Sequence, residues 1–331
     1  MITIFAPGGI GEVTAETDLP GVLIDAVQHD PAGPLADGDI LVVTSKILSK
    51  AEGRTAPEET RDQVIAAETG RTVARRGPTR IVRTRTGLVL AAAGVDRSNV
   101  AAGTILLLPE DPDGSAARLR AELQRRSGLR LGVVISDTAG RPWREGQTDH
   151  AIGAAGVRVV RGYADECDAY GNRLEVTATG LADELAAAAD LVKGKLDGRP
   201  VAIVRGLGDL VGDPAGRAAD LVRSPESDMF GFGSRESVLA AVLAVTGHRA
   251  AYESLVRLDG TERSDAVLDL VGAEGEVGEL LRGLLEVDLA ETAAASNPQG
   301  TPAEIDSPGL SAPQPKELPG GRQDQPVRAQ G

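Results

Sequence analysis

"VVISDTAGRPWREGQTD" runs from Val133 to Asp149. It opens as an apolar, β-branched strand and passes without a break into Asp137, Thr138, Arg141, Arg144, Glu145, Gln147 and Asp149. With the preceding "LRLG" it reads as a buried sheet strand whose carboxyl end delivers Asp137. An acidic residue at a strand end is most often a turn residue or a helix N-cap. Three features argue for more here. The polar density continues to Asp149, the one tryptophan of the chain, Trp143, lies inside the stretch, and a second acidic turn, "AAAGVDRSN", carries Asp96 and Asn99. Two carboxylates on two turns, with a hydroxyl and an amide nearby, are the oxygen donors a hard divalent cation takes.

Outward from this strand, Ile2 to Phe5 reads as a first strand and Leu19 to Val27 as a helix, with Asp18 as its cap and Pro20 in its first turn. "DILVVT" is a buried strand, Pro57 to Arg76 a helix, and "RIVRTRTG" a half-exposed strand. Ser115 to Ser127 is a helix with Ser115 at the cap and Gly128 just past the end. Strands around Val157 to Val160 and Leu174 to Thr177 precede a helix, Ala182 to Lys193, and a last strand, "PVAIV". Strands and helices mix without strict alternation, which predicts an α+β or mixed α/β layer fold over residues 1–233. A helical extension occupies 234–290. Residues 291–331 are rich in Pro, Gly, Gln and Ser, a composition that buries too little apolar surface to offset ordering, so disorder is expected there.

The 331 residues are 41% apolar but only 2% aromatic, so the core must be built from Ala, Val, Leu and Ile. A net charge of −14 argues against nucleic acid or an anionic membrane as partner. The single cysteine, Cys167, allows no intrachain disulfide and suits a reducing cytoplasm. The first residues lack the pattern of a signal peptide, and no apolar stretch is long enough to span a bilayer.

"GDILVVTSKILSKAEGR" places Ser45, Lys46 and Lys50 just after a strand, where they suit a nucleotide phosphate; taken alone, solvated surface lysines are the favoured reading. Lys193 and Lys195 in "LVKGK" read as ordinary cations at a helix C-terminus. "GGIGEV" and "RGLGDLVG" fail the dinucleotide glycine spacing, and no P-loop is present. His29, His150 and His248 form no HExxH, and neither they nor Cys167 sit in a recognisable nucleophile motif. The chemistry therefore rests on metal ions, positioning and cationic side chains, which is what phosphoryl transfer needs.

Five segments, in order, carry a resemblance: "GDILVVTSKILSKAEGR", "AAAGVDRSNV", "LLPEDPDGSAARLR", "DTAGRPWREGQTDHAIGAAG" and "ADELAAAADLVKGK…PVAIVRG". Together they closely resemble the coenzyme F420-0:L-glutamate ligases, from about Ile2 to about Arg223. The resemblance implies an amide-forming ligase that uses GTP to join L-glutamate to coenzyme F420-0, then adds γ-linked glutamates, through an acyl phosphate. It implies Mg²⁺ or Mn²⁺ with K⁺ as helper, a fold of the family's own α+β type, and an intertwined homodimer. Residue by residue, Asp96, Asp137 and Thr138 correspond to metal ligands; Ile10, Gly11, Glu12, Val13, Ser45, Lys50 and Asn99 correspond to GTP contacts. Lys50, and on chemical grounds Arg144, would stabilise the transferring group, although Arg144 is as readily paired with Glu145 or Asp149.

The first turn, "PGGIGEV", is glycine-richer than the family's usual form, so contacts from Ile10 to Val13 would be largely backbone. "SDMFGFGSRESVLAAVLAV" looks like the junction to the nitroreductase-like domain of mycobacterial members, but the chain beyond it is too short and too poor in aromatic and basic residues to be one. No FMN is expected. Two other readings stay open: a nucleotide- and metal-binding regulator of the same fold, or a ligase for another carboxylate.

Overall fold

The computed structural model describes residues 1–295 except 165, 176, 213 and 214, with only the backbone given for 287–295. Residues 1–285 form one compact unit. Its elements in chain order are β1 (Thr3–Phe5), α1 (Leu19–Gln28), β2 (Ile40–Thr44), α2 (Ser45–Ala51), β3 (Thr55–Pro57), α3 (Arg61–Glu68), β4 (Thr69–Arg76), β5 (Thr79–Thr84), β6 (Val89–Ala91) and β7 (Thr104–Leu106). Then come α4 (Pro112–Ser127), β8 (Gly132–Arg141), β9 (Arg144–Ala155), β10 (Arg161–Gly162), β11 (Ala178–Thr179), α5 (Leu181–Lys193) and β12 (Val201–Arg205). Four helices close the described chain: α6 (Ser234–Val245), α7 (Tyr252–Leu255), α8 (Gly260–Val271) and α9 (Gly275–Ala295). Residues 296–331, most of the stretch expected to be disordered, lie outside the described residues.

The central sheet has the order β1-β12-β2-β8-β9; only β2 and β8 run parallel. In β2, β12 and the first half of β8 the side chains alternate between the two faces. Leu41, Val43, Val133, Ile135, Val201 and Ile203 face α1, α2 and α4, whereas Ile40, Val42, Val134, Ala202 and Val204 face α5. This period of two, with both faces apolar, is what helix layers on both sides require. The mixed α+β reading, with a mixed sheet and a helical C-terminal region, matches this architecture. Fully buried Leu41, Ile135 and Ile203 each contribute about 1.5–3 kcal/mol by leaving water.

Several local expectations change. The strand does not end at Asp137: β8 continues to Arg141 and returns as β9, so the whole segment is a hairpin. The expected helix Pro57–Arg76 stops at Glu68, where the Thr69 hydroxyl donates to the Ile65 carbonyl (2.6 Å); Thr69, Thr72 and Val73 then suit β4, which pairs with β5. Asp111, not Ser115, caps α4, its carboxylate accepting from the Gly114 amide, while Gly128 ends the helix at φ 72° as expected. Asp18 makes no side-chain cap bond, because Arg126 holds its carboxylate (2.6 Å). Among the described residues, no strand covers 157–160 or 174–177; the region carries the short β10–β11 ladder and isolated bridges from Val157 to Val211 and Gly216 and from Cys167 to Arg173.

Helices α6 and α7 meet β4, the edge of the sheet β4-β5-β6. Two glutamates satisfy amides of that edge: Glu253 accepts from the Thr72 amide (2.9 Å) and hydroxyl (3.0 Å), and buried Glu236 accepts from the Arg75 amide (3.1 Å). Tyr252 donates to the Thr72 carbonyl (2.9 Å). An edge strand's free amides invite pairing with another chain, and side-chain carboxylates forestall it.

Candidate functional site

The parallel pairing of β2 and β8 ends where β2 stops, with Thr44 opposite Ser136. Beyond this point, at Thr44, Asp137 and Thr138, lies a cleft of ≈ 1210 Å³, the usual position for a ligand in a sheet with parallel strands. Helix α2 starts directly after β2, so Ser45 and Lys46 sit over this end. The Ser45 hydroxyl donates to Asp137 Oδ1 (2.8 Å). Ser45 is buried and does not line the cleft; where the resemblance implies a nucleotide contact, its hydroxyl is spent on holding Asp137.

Because strand side chains alternate, Asp137 points to the α2 side of the sheet, whereas Ser136 and Thr138 point to the α5 side. Burial pushes the Asp137 carboxyl up to about 6; the Ser45 bond and the Lys46 charge oppose this, and Asp149 and Asp96 add to it. Asp137 is thus a carboxylate short of positive charge.

Asp96 reaches the same cleft from the loop after β6. Its backbone pairs with Leu106, which pins it to β7. Ala92, Ala93 and Asn99 hold positive φ of 50°, 56° and 57° around it, a conformation that costs a non-glycine residue roughly 1–2 kcal/mol. The Asp96 carboxylate accepts from the Ser98 amide (2.9 Å) and hydroxyl (2.8 Å) and from the Lys46 ammonium. Burial pushes its pKa up, but Lys46 and Ser98 outweigh this and hold the carboxyl below its ordinary value.

Lys46 and Lys50 are not solvated surface lysines. Both are half-buried in the cleft wall, and Lys50 is fixed by Glu12 (2.6 Å). Ile10, Gly11, Glu12, Val13 and Asn99 line the same cleft, as do Thr138 and Gln147. The structure thus brings together every singled-out site residue except Ser45, which stands behind Asp137, and Arg144. Arg144 is exposed beside the hairpin tip, outside the cleft lining, and the partners of Asp149 are other residues.

Those partners are what sequence reasoning missed. Asp149 and Lys193 are buried and joined at 2.7 Å. Thr138 donates to Asp149 (2.7 Å), Ser136 donates to Asp149 (2.8 Å), and Lys193 donates to Ser136 (2.8 Å). Lys195, more exposed, donates to Thr138 (2.8 Å). Burial pushes Asp149 up, but Lys193 and the two hydroxyls outweigh it and hold the carboxyl below its ordinary value. Lys193 is no ordinary helix-end cation: it continues the apolar face of α5, Ala182, Leu185, Ala186 and Ala189. That spacing was the available signal.

Among the described residues no group of three or more His, Cys, Asp and Glu side chains is arranged to hold a metal. Glu12, Asp149 and Asp190 in the cleft lining are each ion-paired with a lysine; Asp96, Asp137 and Thr138 add two further carboxylates and a hydroxyl, with Asp137 short of counter-charge. Such a set fits a divalent cation of the Mg²⁺ type, which keeps waters and shares substrate phosphates, and does not fit a fully protein-caged ion.

The model of the F420-0:Gamma-glutamyl ligase family matches residues 9–68 and 57–206. Coenzyme F420:L-glutamate ligase of Methanothermobacter thermautotrophicus is 38% identical over 251 residues, 69% of this chain and 98% of that protein. The protein of the same name from Archaeoglobus fulgidus is 37% identical over 248 residues, 69% of this chain and 96% of its own. That of Methanopyrus kandleri is 40% identical over 219 residues, 59% and 86%. The aligned segments carry the cleft from Ile10 to Pro200, and on these grounds the chain belongs to the F420-0:gamma-glutamyl ligase family.

Proposed function

We propose that this chain ligates L-glutamate to coenzyme F420-0 at the expense of GTP, and then adds further γ-linked glutamates, in coenzyme F420 biosynthesis. Family membership supports the reaction class. The observation that carries the reading is one cleft onto which separate segments deliver Ile10 to Val13, Lys46 and Lys50, Asp96 and Asn99, and Asp137 and Thr138.

In the first step a carboxylate oxygen of the acceptor attacks the γ-phosphorus of GTP. The bond to the β–γ bridging oxygen breaks, leaving an acyl phosphate and GDP. The glutamate amine then attacks the acyl carbon, loses a proton, and inorganic phosphate departs. Lys46 and Lys50 supply fixed positive charge where phosphate charge develops, and Glu12 holds Lys50 in place. Asp96, Asp137 and Thr138 would hold Mg²⁺ or Mn²⁺, which when bound neutralises phosphate charge. K⁺ as helper, a homodimer and a cytoplasmic site of action complete the proposal. Arg144 lies outside the cleft lining.

The test is to incubate the pure protein with GTP, Mn²⁺, glutamate and coenzyme F420-0 and to read product masses. The expected result is a ladder of glutamyl increments with GDP and phosphate released in step. Nucleotide binding without new product masses would favour a regulator. Equal turnover with ATP at matched concentration would remove the claim for GTP.

A further inference from the structure

Along one wall of the cleft, Lys193, Ser136, Asp149 and Thr138 form a hydrogen-bond set whose direction is fixed by chemistry. An ammonium only donates, and a carboxylate only accepts. Lys193 therefore donates to Ser136 (2.8 Å) and Asp149 (2.7 Å), and both hydroxyl protons, from Ser136 and Thr138, go to Asp149. Thr138 also accepts from Lys195 (2.8 Å), so its proton is committed inward and what it can offer the cleft is a lone pair. A strand irregularity makes this possible. Between Ile135 and Ser136 the register of β9 slips by one residue, from Gly153 to Ala151. That slip restores Ile152 to the α1 side and sets Asp149 opposite Thr138 on the α5 side.

Asp149 and Lys193 are each 3% exposed. A buried ion pair adds little stability over apolar residues of the same volume, so stability alone does not explain it. We propose that Asp149, held by Lys193, is a positioning residue: it takes the Thr138 proton so that the hydroxyl presents only its lone pair to a divalent cation in the cleft. This rests on the metal-dependent reading of the cleft. Residues that orient a metal ligand from behind typically change metal affinity about 10–100-fold when altered.

The experiment is a titration of the protein with Mn²⁺ alone, without nucleotide or substrate, following free Mn²⁺ by electron paramagnetic resonance. In Asp149→Asn the new amide donates to Thr138 and turns the hydroxyl proton toward the cleft, which repels a cation. That variant also strands a buried ammonium and risks misfolding. Lys193→Met/Asp149→Leu removes both charges together with the acceptor of the Thr138 proton, and carries the test if the single variant fails. Thr138→Val is the reference. The expected result is a Kd for Mn²⁺ raised roughly tenfold or more in the folded double variant. Adding the pair to Thr138→Val should weaken binding no further, because both changes act through one hydroxyl. Wild-type affinity in the folded double variant, or full additivity with Thr138→Val, overturns the proposal. Wild-type protein that binds no Mn²⁺ overturns the metal reading itself, and this inference with it.

Discussion

Asp137 carries opposed demands. Its folded pKa of about 6 lies above the ordinary 3.8, so between these values the native chain binds a proton that the unfolded chain has released. The stability this group contributes is therefore fully present below about pH 4 and lost as pH rises through 6. Asp137→Asn should raise the metal-free Tm by roughly 2–4 °C at pH 7.5, with the gain vanishing toward pH 4, as calorimetry across pH would record. The same variant should lose roughly a hundredfold or more in ligation rate, since it removes charge a cation needs. Asp96→Asn should lose as much, and the double variant little more, because both serve one site. Near-normal turnover of folded Asp137→Asn at limiting Mn²⁺ would return Asp137 to an ordinary strand residue. Asp96, Asp137 and Thr138 were legible in the sequence because each follows an apolar run that fixes where it lies. Ser45 and Lys193 were not: whether a hydroxyl faces a ligand or a buried carboxylate, and whether a lysine is solvated or paired, depends on a partner 92 or 44 positions away.

At the scale of elements, the sheet strands could be read from their apolar runs, and Gly128 marked the end of α4. What failed was length. The apolar spacing of Val64 and Ile65 ran visually into Val73, yet the β-branched Thr69 to Val73 segment finds a better partner in β5 than in another helical turn. Likewise the sequence places the strand's end at Asp137, because neither face of that hairpin tip is apolar, so alternation left no trace. The C-terminal helices give the β4 edge a testable dependence. Glu236→Ala leaves the Arg75 amide without its acceptor and should cost about 1–3 kcal/mol in urea denaturation. Glu253→Ala should do likewise at Thr72. Neither glutamate lines the cleft, so turnover per folded molecule should be unchanged.

For the molecule as a whole, the two C-terminal stretches should behave oppositely on truncation. Deleting 297–331, whose composition is poor in core-forming residues, should leave ligation and Tm nearly unchanged. Ending the chain at Gly233 removes the buried cluster around Leu239, Leu243 and Val267 and bares the β4 amides, so soluble, monodisperse protein should be lost, as gel filtration would show. Equal behaviour of the two truncations would contradict this division. The hairpin adds an optical consequence. All indole emission of this chain comes from Trp143, 82% exposed at the turn between β8 and β9 and set edge-on against Phe230 at 4.9 Å. Its emission is therefore a single-site gauge of the strand pair that bears Asp137 and Asp149, needing no label. A change in that emission on unfolding reports the loss of the hairpin tip and its contact with Phe230.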